Sequence, residues 1–159
     1  MRCESLPVLI IVCGLPGAGK TTMAVSQAAE RNGIRLCADD WLDALEINLW
    51  DEASRDRVER LQWELAQELL RLGNVVIIEW GTWGRDERAR LRTQARVIGA
   101  RVELIFLDPP VDVLWRRIER RGQEDPPISR SDLERWDAII ERPGDDELAD
   151  YDSSLVITS

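Results

Sequence analysis

Gly14-Leu15-Pro16-Gly17-Ala18-Gly19-Lys20-Thr21 is the stretch that decides how this chain is read. It satisfies G-x-x-x-x-G-K-[ST] at every fixed position. The apolar run Leu6–Cys13 enters it as a buried strand, and Gly19–Arg31 leaves it as a helix. The spacing dictates the chemistry. Glycines let the backbone wrap so that several N–H groups point at one phosphate chain, and the helix N-terminus adds its dipole. Leu15, Pro16, Gly17, Ala18, Gly19, Lys20, Thr21 and Thr22 are the candidate nucleotide-binding residues. Lys20 would reach the β- and γ-phosphates, and the Thr21 hydroxyl would bind Mg²⁺. Lys20 is the only lysine among 21 basic residues, which singles out its position.

Outward from this loop, strands and helices alternate without repeats or low-complexity linkers. Ile34–Ala38 reads as a second strand and Asn74–Glu79 as a third. Arg101–Leu107 reads as a fourth and Leu155–Thr158 as a last one. Between them, Val58, Leu61, Leu65, Leu69 and Leu72 predict a long amphipathic helix. Leu91, Ala95 and Ile98 predict another. Val111, Leu114 and Ile118 predict a helix that stops at Gly122, and Ser131-Asp132-Leu133-Glu134 reads as a capping box. Short apolar strands separated by helices imply an α/β protein with a parallel sheet covered on both faces.

Composition narrows the function further. The 159 residues suit a single domain over 1–159. The net charge of −9 repels nucleic-acid backbones and anionic membranes, and no apolar run is long enough to span a bilayer. Three cysteines without metal-ligand spacing, and no histidine, argue against zinc, a disulfide scaffold or a histidine-based triad. A reduced, cytoplasmic setting is expected. A guanine-reading Asn-Lys-x-Asp motif needs a second lysine, so a GTPase switch is excluded.

Three clusters are candidates for chemistry. Asp39 and Asp40 follow the second strand, at the sheet edge where open α/β folds bind ligands. Asp39 is the candidate base for an acceptor hydroxyl. Asp40 either lines the site or caps a helix starting at Trp41. Arg117 and Arg121 share one helix face before a lid at about 117–131 and would clamp phosphoryl oxygens, whereas Arg116 and Arg120 read as surface. Arg130 lies across that lid. Glu79, Trp80 and Trp83, with Asp40, Trp41, Asp43 and Glu46, would make an acidic, aromatic substrate pocket for a neutral or cationic acceptor. Packing of Trp80 and Trp83 under the long helix is the competing expectation.

The ordered set Gly14–Thr21, Asp39-Asp40-Trp41, Glu79, Leu107-Asp108, Arg117 and Arg121 resembles the small P-loop kinases of the nucleoside-monophosphate-kinase-like group. Within that group it is most similar to polynucleotide 5′-hydroxyl kinase domains and related bacterial ATP-binding proteins. Chloramphenicol phosphotransferase is a more distant likeness. The resemblance implies a three-layer P-loop NTPase fold with sheet order 2-3-1-4-5, and ATP with Mg²⁺. It also implies that Asp39 activates the acceptor, that Arg121 contacts phosphates, and that a residue near Arg117 flanks the adenine. Leu42 stands where polynucleotide kinases carry an arginine, and Trp80 where they carry an aspartate. The expectation is therefore ATP-dependent phosphoryl transfer to a hydroxyl of a small molecule. The alternatives are a polynucleotide 5′-hydroxyl kinase and a non-catalytic ATP-binding regulatory module.

Overall fold

The computed structural model describes residues 5–122 and 127–159. Strand β1 (Val8–Gly14) lies at the centre with every residue buried, because elements cover it on all sides. Helix α1 (Lys20–Arg31) follows and ends at Asn32, whose left-handed conformation (φ 50°) and N–H bond to Ala28 stop it. Strand β2 (Ile34–Cys37) leads directly into helix α2 (Ala38–Ala44), and helix α3 (Glu52–Arg71) precedes strand β3 (Val75–Gly81). Helix α4 (Arg85–Val97), strand β4 (Arg101–Leu107), helix α5 (Val111–Arg121), helix α6 (Arg130–Ile139), the short helix α7 (Asp145–Leu148) and strand β5 (Ser153–Ile157) complete the chain.

The five strands form one sheet of order β2-β3-β1-β4-β5, and every pair is parallel. The carboxyl ends of β1, β2 and β3 therefore open on one edge, where Gly14, Asp39 and Glu79 are found. Leu9, Ile10, Ile11, Ile77, Ile78 and Leu104 are among the core residues at 0–1 % exposure. Each contributes about 1.5–3 kcal/mol by leaving water.

Four local expectations are corrected. Asp40 does not cap a helix at Trp41: α2 starts at Ala38 with Cys37 as its N-cap, so both aspartates lie in its first turn and favour its positive end. The capping box of α6 is formed by Ser129 and Asp132, two residues earlier than expected, with each side chain meeting the other's backbone N–H. The buried stripe of α3 runs through Ser54, Val58, Gln62, Ala66 and Leu70, leaving Leu61 and Leu72 exposed. Gln62 is tolerated there because its amide donates to the Cys37 carbonyl (3.0 Å) and accepts from the Trp80 indole (2.7 Å). Finally, β5 is an edge strand, not a covered one, and Leu155 and Val156 stay largely exposed. The α5 helix stops as expected, at Gly122 in the left-handed conformation.

Candidate nucleotide and acceptor site

The glycine loop turns between β1 and α1. Gly17 has φ +82°, and a β-carbon there would sit 3.0 Å from the Leu114 carbonyl and 3.2 Å from the Ile118 side chain. Glycine is thus required both by backbone conformation and by the close approach of α5. That approach lays Arg117 across the loop, where its guanidinium donates to the Gly17 carbonyl at 3.2 Å. Lys20, half-buried at the start of α1, donates to the Leu15 carbonyl at 3.0 Å. Burial lowers its pKa, while the nearby Glu79 and Asp39 carboxylates oppose that shift. The Lys20 ammonium is thus close enough to both carboxylates to feel their charge. Thr22 is exposed in the first turn of the same helix.

Glu79, buried at the end of β3, connects the loop to the aspartate pair. One oxygen accepts from the Thr21 hydroxyl; the other accepts from Arg35 at 2.7 Å. Arg35 extends the chain to Asp40 at 2.8 Å, and Arg55 of α3 pairs with Asp39 at 2.5 Å. A hydroxyl and a carboxylate converging beside a phosphate loop are hard oxygen donors, which fit Mg²⁺. Thr21 and Glu79 are the residues that would hold it. Neither Arg35 nor Arg55 is legible in the sequence, because one arginine among so many carries no local signal.

Beyond Glu79 the strand ends in a left-handed turn at Gly81 (φ 105°) and Thr82 (φ 49°). Several contacts pin it. Cys13 donates its thiol to the Thr82 carbonyl at 3.0 Å, and the Trp83 indole donates to the Gly14 carbonyl at 3.2 Å. Arg88, fully buried, forks onto Glu147 at 2.7 and 3.0 Å and also donates to the carbonyls of Thr82, Trp83 and Glu141. Burial pushes the Cys13 thiol up to about 11 and the Cys37 thiol up to about 12, so both stay protonated and unreactive.

The tryptophans divide. Trp83 packs tilted against Trp136 (centroids 5.9 Å apart), and Trp136 packs tilted against Trp50 (5.8 Å), a row running from the phosphate loop to the α2–α3 connection. Trp41 packs with Trp80 on the small cluster of Ala38, Leu42 and Val58. Trp80 meets Trp63 edge-on under α3, as the packing expectation had it. Arg121 is exposed in the last turn of α5, one turn beyond Arg117. Arg130 pairs with Asp112 and Glu134, bridging α6 to α5. Part of the expected lid, residues 123–126, lies outside the described residues. Among the described residues, no helix is long and apolar enough to cross a membrane.

Sheet order, phosphate loop and the Thr21–Glu79 contact define a P-loop NTPase-like α/β protein of kinase-like topology. The chain belongs to the AAA domain family AAA_33, whose model matches residues 9–143. It is similar to a UPF0200 protein of Thermococcus onnurineus (strain NA1), 27% identical over 146 residues, covering 82% of this chain and 77% of that one. Among solved structures it resembles Chaetomium thermophilum Kti12 in complex with ADP-AlF3, with TM-score 0.72, 19% identity, and 94% and 88% of the two chains covered. It also resembles a gluconokinase from Sinorhizobium meliloti 1021, with TM-score 0.65, 19% identity, and 97% and 83% covered. At these identities the structural likeness speaks for the fold.

Proposed function

We propose that this protein transfers the γ-phosphate of ATP to a hydroxyl group of a small-molecule acceptor. The observation that carries the reading is the convergence of Lys20, Thr21, Glu79 and Asp39 at one sheet edge, with Lys20 within electrostatic reach of both carboxylates. A protein that only senses nucleotide has no need of Asp39 at that place. The kinase neighbours on this fold support the same direction.

The loop amides and Lys20 bind the phosphates, and Arg117, and in the same role Arg121, approach them from α5. A residue near Arg117 would flank the adenine. Bound Mg²⁺ would neutralise charge on the β- and γ-oxygens, held by Thr21 with Glu79 beside it. The Asp39 carboxylate accepts the proton of the acceptor hydroxyl. That oxygen bonds to the γ-phosphorus as the bond to the bridging oxygen breaks, and ADP leaves with that electron pair. Arg55 orients Asp39, and Asp40 and Trp80 border the acceptor side.

A small acceptor fits the charges better than a nucleic acid. Arg35 and Arg55, the cations beside Asp39, are already paired with carboxylates and offer little to a phosphate backbone. Among the described residues Cys13 and Cys37 are both free and buried, which accords with a reducing, cytoplasmic setting. The test is incubation with γ-labelled ATP, Mg²⁺, and a panel of small alcohols beside 5′-hydroxyl oligonucleotides. Label on a small alcohol supports the proposal. Label only on oligonucleotides overturns the acceptor class, and ATP binding without any transfer favours a regulatory module.

A further inference from the structure

Between α3 and α4 lies a cavity of about 440 Å³ that the nucleotide machinery does not use. Its aromatic wall is Trp63 and Trp80, edge to face at 82° with centroids 6.3 Å apart. Both indole N–H groups are committed: Trp63 donates to Gln94 at 2.5 Å and Trp80 to Gln62 at 2.7 Å. The rings are therefore fixed in orientation, and what they can still offer a ligand is the negative potential of their faces.

The polar wall is acidic. Asp56 and Glu59 come from α3 and Glu87 from α4. Among the described residues, none of these three carboxylates forms an ion pair, although the chain is rich in arginine. Arg60 and Arg90 also border the cavity, so its formal charge is one negative. Glu59 and Glu87 are each raised above the usual carboxylate range, chiefly by burial; Glu87 raises Glu59 further, while Arg55 opposes the shift at Glu59 and Arg90 at Glu87. A half-buried carboxylate of this kind gains from a further cation beside it. A metal ion is not the fit: among the described residues no three carboxylate, cysteine or histidine groups converge closely enough to hold one. Fixed indoles beside unpaired carboxylates suit an organic cation.

The cavity also adjoins the proposed chemistry. Glu59 lies about one helical turn, roughly 6 Å of rise, from Arg55 on the same helix, and Arg55 is the residue that pairs with Asp39. The Asp39 carboxylate is itself among the charges that act on Glu59. A molecule lodged between α3 and α4 could thus extend a hydroxyl towards Asp39.

We propose that this cavity receives the ammonium or guanidinium end of the acceptor, making the substrate class amino alcohols. Only the link to Asp39 rests on the kinase reading above. Binding of the cation is independent of nucleotide and is measured without it.

The experiment is calorimetric titration at pH 8, low salt and in an amine-free buffer, using two matched pairs. These are choline against 3,3-dimethylbutan-1-ol, and glucosamine against glucose. Cationic members are expected to bind at least about tenfold more tightly than their neutral partners. The double substitution Glu59→Gln with Glu87→Gln should remove that preference while ADP binding is retained. Equal binding within both pairs, or an unchanged preference in a folded double variant, overturns the proposal. If the double variant does not fold, the wild-type pairs alone decide. Label transfer from ATP to the same four compounds separates the two readings. Cation preference without transfer leaves the cavity assignment standing and counts against the kinase. Transfer with no preference does the reverse.

Discussion

Arg55 of α3 grips the Asp39 carboxylate of α2 at 2.5 Å, although sixteen positions of chain separate them (55 minus 39). Asp39 has a side-chain exposure of 57 % and Arg55 of 26 %, so the pair contributes at most about 1 kcal/mol to folding. On the phosphotransferase reading, its role is to orient the carboxylate. Arg55→Met is therefore expected to leave the melting temperature nearly unchanged while lowering phosphoryl transfer. A thermal melt beside a turnover assay checks both halves.

Gly17→Ala is expected to weaken nucleotide binding. The new methyl would meet the Leu114 carbonyl at 3.0 Å in a backbone conformation that costs an L-residue about 1–2 kcal/mol. Either the loop changes shape or α5 moves away and carries Arg117 off the Gly17 carbonyl. An ADP affinity loss of roughly tenfold or more follows, readable by calorimetry. Unchanged affinity would show that α5 does not brace the loop.

Arg88 serves stability. Arg88→Met strands Glu147, which is 1 % exposed, and should cost about 3–5 kcal/mol in denaturant unfolding. Adding Glu147→Leu removes the orphaned charge, so the double variant should be more stable than the single one. A double variant less stable than Arg88→Met alone would mean that the carbonyls of Thr82, Trp83 and Glu141 matter more than the ion pair.

Glu59 gives stability a pH dependence of unusual sign. Burial, then Glu87, then Asp56 and Asp39 raise its pKa from 4.5 to about 7, while Arg55 pulls the other way; Arg60 and Arg90 also border it. Between those two values the folded state holds a proton that the unfolded state has released. Stability contributed by this group is therefore full below about pH 4.5 and declines as pH rises towards and through 7. Glu59→Gln should flatten that decline in melts taken from pH 5 to 8. An identical slope in wild type and variant would place the titration elsewhere.

The fold was legible because two signals agreed at the same place: an unbroken apolar strand and a glycine loop with a lysine. The loop, the Asp39-Asp40 pair and Arg117 stand out in the sequence as candidates, and the contact of Arg117 with the Gly17 carbonyl came from the fold. The sheet order came with the family resemblance and matches β2-β3-β1-β4-β5. What the sequence hid depends on contacts between distant segments. Gln62 reads as a polar residue beside the leucine stripe, yet it is the buried one because Cys37 and Trp80 satisfy its amide. Arg35, Arg55 and Arg88 disappear into an arginine-rich background until the fold brings each to its carboxylate. The acidic, aromatic pocket expected around Asp40 and Trp41 has its nearest counterpart between α3 and α4. Only Trp80 is common to the expected and observed sets.

The most direct test of the phosphotransferase reading is a comparison of wild type with Asp39→Asn, reading label transfer from γ-labelled ATP and ADP affinity on the same preparations. The predicted result is transfer to a small alcohol by the wild type, a fall of about 10²–10⁴-fold in the variant, and ADP affinity kept within a few-fold. Transfer by Asp39→Asn at the wild-type rate, or wild-type protein that binds ATP and phosphorylates no member of the alcohol panel, would contradict it.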